Sequence, residues 1–391
     1  MTPAPGRLRN AALLLAALGA LSGCGLFSEK DDEADRPMAL VEFDATLPVQ
    51  ELWNVNTGKG LDRSAPNLKP FYIDGELWVA DHEGGVRVID AESGDVLRQF
   101  ELELDLASGP AVFADSVLFG TIDGMVVHVD RASGQILWQT QLSSEVLALP
   151  VLRDGIVIAR AIDGRVFGID AESGRREWIY DRSVPLLTLR GNSDPLVRGG
   201  QVFIGYDDGA VTALRIADGV RLWEQRVSIP EGRSELERLS DIDGPLVIVG
   251  GDLYAVTRHG RMASLALDSG RIQWVKDIAA DSGVSISRTQ LAVTDAEDVV
   301  WMVDRLSGAT VWQNESLKRR DVTRPVFQGS FVVVADREGY LHWLDADTGE
   351  PVARERAGKE PPAAAPLVIG NLLYLLDRDG RLSAWRVGAQ R

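Results

Sequence analysis

The stretch Val127 to Trp138, VHVDRASGQILW, constrains this chain more than any other because it recurs. Alternating apolar residues lead into Asp130, Ser133-Gly134 makes a turn, and a second alternating run ends on an aromatic. Period-two patterning predicts two half-buried strands, and the Asp-x-x-Ser-Gly link supplies the turn between them. The aspartate accepts backbone N–H groups of the turn, and the glycine takes the positive φ that the exit demands. The unit returns around Gly94, Gly174, Gly219, Gly270, Gly308 and Gly349. Tryptophan stands four residues after the glycine at Trp138, Trp178, Trp223, Trp274 and Trp312. Such a period decides the architecture before any local propensity does.

A second marker keeps the same period. A strand-opening proline is followed 14 positions later by a turn glycine in Pro70/Gly84, Pro110/Gly124, Pro150/Gly164, Pro195/Gly209, Pro325/Gly339 and Pro366/Gly380, and one position later still in Pro245/Gly260. A degenerate unit without the proline, VSISRTQLAVTDAEDVVWMVD, lies between Gly260 and Gly339. Each unit reads as four short strands over roughly 40 residues, which is a propeller blade whose edges are protected by radial closure. The expectation is an all-β fold, an eight-bladed β-propeller of four-stranded antiparallel blades spanning residues 49–391. The last unit ends at LSAWRVGAQR without a fourth strand, while LPVQELWNVNTG around Trp53 is an orphan tryptophan strand. The amino-terminal strand is therefore expected to complete the last blade.

Upstream, Arg7 and Arg9 precede the apolar run AALLLAALGALSG, followed at once by Cys24. A short cationic segment plus about a dozen apolar residues is a secretory signal, too short for a stable span. Leu21-Ser22-Gly23-Cys24 resembles the bacterial lipobox, which implies cleavage after residue 23 and lipidation of Cys24. Gly25 follows instead of the aspartate that holds such lipoproteins at the inner membrane, so the implied address is the outer membrane, periplasmic face, with a lipid anchor. Cys24 is the single cysteine, so no disulfide framework and no catalytic thiol remain. Residues 24–48 are acidic and aperiodic, and are expected to form a tether. Cleavage takes the formal charge from −17 to −19 by removing Arg7 and Arg9, a balance that argues against nucleic acid and against docking on anionic lipid.

The Asp-x-x-Thr/Ser-Gly-x-x-x-Trp core resembles the repeat of quinoprotein alcohol and glucose dehydrogenases. In that family the motif is structural, so Trp138, Trp178, Trp223, Trp274 and Trp312 are expected as a girdle, each packing on the neighbouring blade and needing a partner for its N–H. The parts for catalysis are missing from the sequence: no vicinal cysteine pair, no Asp-x-Asp-x-Asp-Gly calcium loop, and four histidines, His82, His128, His259 and His342, on separate blades without metal-ligand spacing. No catalytic residue, metal or cofactor is assigned.

Function is then expected where the period breaks, because repeat scaffolds bind through loops. Trp138 to Pro150 spans 12 positions and Trp312 to Pro325 spans 13, against 17 for Trp178 to Pro195 and 22 for Trp223 to Pro245. Two consecutive blades thus carry insertions on one face of the ring. The first insertion presents Leu187, Leu189 and Arg190, the second Asp241 and Asp243 flanking Ile242. Exposed apolar anchors with a charged rim suit a protein partner; a pairing of Arg190 with Asp241 or Asp243 that merely pins the loops is the other reading. A third long gap, from Trp53 to Pro70, is expected at the ring closure, away from this pair.

Signal peptide, lipobox, acidic segment and blades, with LTLRG and RLSDID in the two long loops, closely resemble the BamB family, propeller lipoproteins of the outer-membrane β-barrel assembly machinery. The resemblance implies a non-catalytic scaffold that binds a POTRA domain of a BamA-like barrel protein through Leu187, Leu189, Arg190, Asp241 and Asp243. It also implies other lipoproteins of the complex as partners, and outer-strand edges that could add a strand from unfolded barrel precursors. Two rivals stay open: a periplasmic quinoprotein-like enzyme, and a lipoprotein that binds glycan or peptidoglycan.

Overall fold

The computed structural model describes residues 36–61, 67–182, 193–228, 241–258 and 260–388. Among these, every regular element is a strand, and the strands form eight sheets arranged as the blades of a propeller. Blade one takes Phe71–Ile73, Glu76–Ala80, Gly85–Asp90 and Val96–Glu101; blades two to seven repeat that order from Leu106 to Arg356. Each blade is an antiparallel meander. The first strands of neighbouring blades lie against one another, as in blades three and four or six and seven, whereas the fourth strands are exposed on alternate residues. The fourth strand is therefore the outer edge of the ring.

Blade eight closes the circle. Leu367–Ile369, Leu372–Leu376 and Arg381–Val387 come from the end of the chain, and Val49–Asn56 pairs antiparallel with Arg381–Val387 as the fourth strand. Trp53 lies over Gly94 of blade one and Tyr374 donates its hydroxyl to Ala91 O at 3.0 Å, so the joint is packed as well as paired.

The core is divided rather than central. Eight apolar clusters each straddle two adjacent blades: Trp78, Val86 and Val88 of blade one meet Val117, Phe119 and Val127 of blade two, and Leu77, Val79 and Ile89 meet Tyr374, Leu376 and Leu382 across the closure. Apolar burial at about 25 cal/mol per Å² thus accrues at blade interfaces, so each blade is stable only with both neighbours.

Two main-chain hydrogen bonds sew each of several interfaces at one face of the ring. In the connection that follows a fourth strand, one residue accepts from the next blade and its successor donates to its own blade. Glu145 O receives Ile162 N while Val146 N reaches Thr121 O; Asp105/Leu106, Asp241/Ile242 and Ala279/Ala280 repeat the pair at 3.0–3.3 Å. This face also carries the turns at Gly84, Gly124 and their equivalents.

The strand-opening prolines stand just ahead of Phe71, Val151, Leu196, Val326 and Leu367, but Pro110 lies inside Leu106–Val112. There the short strand Asn67–Leu68 pairs in parallel with Ser108 and Gly109, adding a fifth strand to blade two and prolonging its first. Residues 36–48, the described part of the expected tether, lie along blade seven: Met38 N donates to Lys318 O, and Thr46 N and Leu47 N to Val352 O.

Candidate functional site

The repeat turn and the aromatic belt are one device. Ser133 N and Oγ both bind Asp130 Oδ1, at 2.7 and 2.6 Å, and hold that carboxyl below its ordinary pKa. Gly134 N returns to Asp130 O at 2.9 Å. Just beyond each turn the pairing slips, between Ile136 and Trp138 for example, a bulge that re-aims the fourth-strand side chains. Trp138 then reaches the next blade, donating Nε1–H to Ala171 O at 2.9 Å with its indole over Gly174. Trp178, Trp223, Trp274 and Trp312 make the same contacts, with Ile216 O and Gly219, Leu267 O and Gly270, Arg305 O and Gly308, and Ala346 O and Gly349. The glycine is required twice over, by φ near +70° and by an indole where a Cβ would stand.

Where the tryptophan is absent its two tasks are divided. At the interface of blades one and two, Phe100 covers Gly134 and Arg98 Nη1 donates to Arg131 O at 2.8 Å. The Arg98 guanidinium, 5.1 Å from the Trp78 ring, is paired with Glu76. Arg215 and Ala266, which stand in place of the turn aspartate, leave the main-chain closure intact through Gly219 N and Gly270 N.

The two insertions spring from a charged rim over blades three to five. Leu187, Leu189 and Arg190 lie outside the described residues, as do Cys24 and His259. The bases of their loops are firmly held. Before the first, Arg182 pairs with Asp208 at 2.7 Å and Glu224 at 2.5 Å and stacks 4.3 Å from the Tyr206 ring. After it, Ser193 Oγ accepts from Gly205 N and Asp194 Oδ1 from Leu149 N. Arg160, fully buried, also lies against the Tyr206 ring, 4.9 Å from its centroid, bonded to Gly205 O at 2.7 Å and Asp207 Oδ1 at 2.9 Å. Arg160, Tyr206 and Asp207 escaped the sequence reading; the available signal was an arginine closing the apolar strand IVIAR, where Ala80 and Ala335 stand in blades one and seven.

Asp241 and Asp243 require a correction. They were expected on an exposed loop, but Asp241 is 1% exposed and Ile242 equally buried, because this dipeptide is the main-chain stitch between blades four and five. Asp243 is partly buried, and burial, reinforced by the nearby charges of Asp241 and Asp207, raises its pKa to about 7. Asp243 therefore carries only part of a charge at neutral pH, and its Oδ1 has no hydrogen-bond partner.

The segment between Trp53 and Pro70 also differs from expectation. It is not remote from the insertions: Asn67 Nδ2 and Lys69 Nζ bind the two oxygens of Asp194 at 2.7 and 2.6 Å. Asn67, Lys69 and Asp243 share with Arg324 and Pro361 a cavity of about 380 Å³ at the channel mouth. Spacing could not reveal this, since the contact joins the short strand added to blade two with the connection that enters blade four.

The three described histidines serve structure. His82 Nδ1 lies 3.1 Å from Gly60 O and His128 Nε2 2.7 Å from Ser116 Oγ. His342 Nδ1 accepts from Arg354 Nε at 3.2 Å, which leaves Nε2–H to donate to Asp336 Oδ2 at 2.8 Å. Among the described residues no group of three or more His, Cys, Asp or Glu side chains is placed to hold a metal ion.

The sequence matches the family described as outer membrane protein assembly factor BamB over residues 82–314 and 296–388. A relative of that name from Alkalilimnicola ehrlichii is 45% identical over 379 residues, 97% of each chain. Another from Xanthomonas campestris pv. campestris is 39% identical over 393 residues, 96% of this chain and 97% of its own. The crystal structure of BamB from Moraxella catarrhalis superposes with a TM-score of 0.79 at 26% identity, over 87% of this chain and all (100%) of that one. The quinohemoprotein alcohol dehydrogenase of Comamonas testosteroni superposes with a TM-score of 0.67 at 14% identity, over 86% of this chain and 76% of its own, a likeness of fold alone.

Proposed function

Because the chain belongs to the family of the outer membrane protein assembly factor BamB, we propose that it is a non-catalytic assembly factor for outer-membrane proteins, working as a scaffold in a complex at the periplasmic face of that membrane. The observation that supports this most is the end-to-end relationship to proteins of that name, with both chains covered almost completely. In this reading residues 1–23 are a signal peptide and Cys24 carries the lipid anchor.

The partner surface in this reading is the rim over blades three to five, and the partner a POTRA domain of a BamA-like barrel protein. Leu187, Leu189 and Arg190 would supply anchors and a cation, and Asp243 a carboxyl at the foot of the second insertion. Asp241 would hold the base of its loop, a supporting part that its burial favours over direct contact. Pre-organised loop bases lower the ordering cost of association, which suits a docking surface.

Affinity purification of the lipidated chain from detergent-solubilised membranes tests the proposal. Wild type is compared with Leu187→Ser/Leu189→Ser, Arg190→Ala and Asp243→Asn, each verified to melt cooperatively. Recovery of a POTRA-containing barrel protein with wild type, and its loss from the loop variants, is the expected result. Equal recovery from all of them moves the site elsewhere on the ring, and no such partner with wild type removes the scaffold role.

A further inference from the structure

We infer that residues 36–47 form a docked strap on blade seven, which makes the anchor segment leave the ring from the same face that carries the two insertions. The anchor half of this inference rests on the lipidation of Cys24 proposed above; the strap itself does not.

The path is defined by contacts at three heights. At the top, Met38 N donates to Lys318 O at 3.1 Å, Arg319 Nε to Arg36 O at 2.9 Å and Arg320 Nη1 to Met38 O at 2.8 Å. Lys318 to Arg320 belong to the connection between the fourth strand of blade six and the first strand of blade seven, the same kind of connection that holds both insertions. Midway down the outer edge, Arg354 Nη2 donates to Val41 O at 3.0 Å and its guanidinium lies 5.0 Å from the Phe43 ring. At the bottom, Thr46 N and Leu47 N reach Val352 O, and Leu47 is buried among Trp343, Ala353 and Trp385. The chain then turns upward as Val49–Asn56, the closing strand of blade eight.

The grip is built from buried groups. Arg320 is 2% exposed and bonds to Asp336 Oδ2 at 2.8 Å and to Glu338 as well as to Met38 O. Asp336 also receives His342 Nε2–H, and His342 Nδ1 accepts from Arg354 Nε. Two of the three arginines that hold the strap, Arg320 and Arg354, are thus fixed from beneath by one network, so the strap meets a surface with little left to order.

Direction follows from the path. Arg36 lies at the insertion face, and Cys24 precedes it by 36 − 24 = 12 residues. Twelve residues span at most about 40 Å when extended. An anchor at Cys24 therefore keeps the exit point on the insertion face within about 40 Å of the bilayer, which favours that face, rather than the Asp-x-x-Ser-Gly turns, as the one turned toward the membrane.

Hydrogen exchange on the mature lipidated chain, in vesicles of phosphatidylethanolamine and phosphatidylglycerol, reads the strap. Amides of Met38, Thr46 and Leu47 should exchange at least about tenfold more slowly than a free chain, and Arg354→Ala, which removes the middle hold, should weaken that protection while amides of Tyr340–Asp345 keep theirs. Phe43→Ala removes only the ring over Arg354, and serves if Arg354→Ala disturbs blade seven. Free exchange of residues 38–47 in wild type overturns the strap. Orientation is read with fluorophores on Lys359→Cys, at the insertion face, and Asp347→Cys, at the opposite face, against a lipid-borne quencher. Stronger quenching at position 359 supports the inference, and equal or reversed quenching overturns it. A mass spectrum without lipid on Cys24, alongside slow exchange at 38–47, overturns the anchor reading and the orientation while the strap stands.

Discussion

Asp243 illustrates how one carboxyl is set by its surroundings. Its folded pKa near 7 lies above the unfolded value of about 3.8, so the unfolded chain ionises first and the native state loses stability as pH rises between those values. Asp243→Asn should therefore stabilise the ring by an amount that grows from pH 5 to pH 7 and levels off above it, on the order of 1–3 kcal/mol at pH 8. Denaturant titrations across that range measure it, and a gain independent of pH would refute the buried-acid account. His342 has the opposite slope. Burial lowers its pKa against the opposing pull of Asp336, and Arg354 and Arg320 add to the lowering. The unfolded chain therefore takes up the proton first as pH falls below about 6.5, and stability declines on that side. His342→Gln keeps a donor for Asp336 and removes the titration, so its stability should fall less steeply than wild type between pH 7 and pH 5.5. A parallel decline in both proteins would assign the acid sensitivity to other groups.

At the level of the element, the glycine of each repeat turn serves two purposes that substitution can separate. Gly174 has φ +71° and its added Cβ would stand 2.8 Å from the Trp138 indole, whereas Gly155 has φ +76° and nothing within 4 Å. Gly155→Ala should cost about 1 kcal/mol, from the left-handed backbone alone. Gly174→Ala should cost that plus the displacement of a packed indole, about 2–4 kcal/mol in all. Equal costs, measured by thermal or chemical melting, would mean that the tryptophan yields freely and the girdle is soft. The division of the girdle's work between Arg98 and Phe100 shows that the interface needs two things, a donor for the carbonyl after the turn and a flat apolar group over the glycine, rather than an indole as such.

At the scale of the whole molecule, stability depends on closure. Leu52, Trp53 and Val55 pack with Tyr374, Leu376 and Leu382, so removing residues 1–56 opens an edge of blade eight and uncovers the cluster shared with blade one. Loss of residues 1–35 should leave the melting temperature unchanged. Loss of 1–48 should lower it through the strap contacts, and loss of 1–56 should abolish cooperative melting or leave an aggregating chain. A chain starting at residue 57 that melts like the parent would contradict closure by the clasp.

What the sequence determined alone is whatever repeats. The turn glycines, prolines and alternating strands are local signals, and eight copies of one local unit with an orphan strand at the front imply the blade count and the closing strand without a coordinate. Asn67 and Lys69 meeting Asp194, Arg160 and Arg182 both lying against Tyr206, and the passage of residues 36–47 down blade seven bear no such mark. Their partners lie many residues away and meet only through the packing of separate segments in the tertiary structure. The same holds for Asp241 and Asp243: as letters they read as a charged loop, and only the packing of blade four on blade five, with its paired main-chain bonds, places one inside the interface and the other half out of water, where a carboxyl no longer ionises freely.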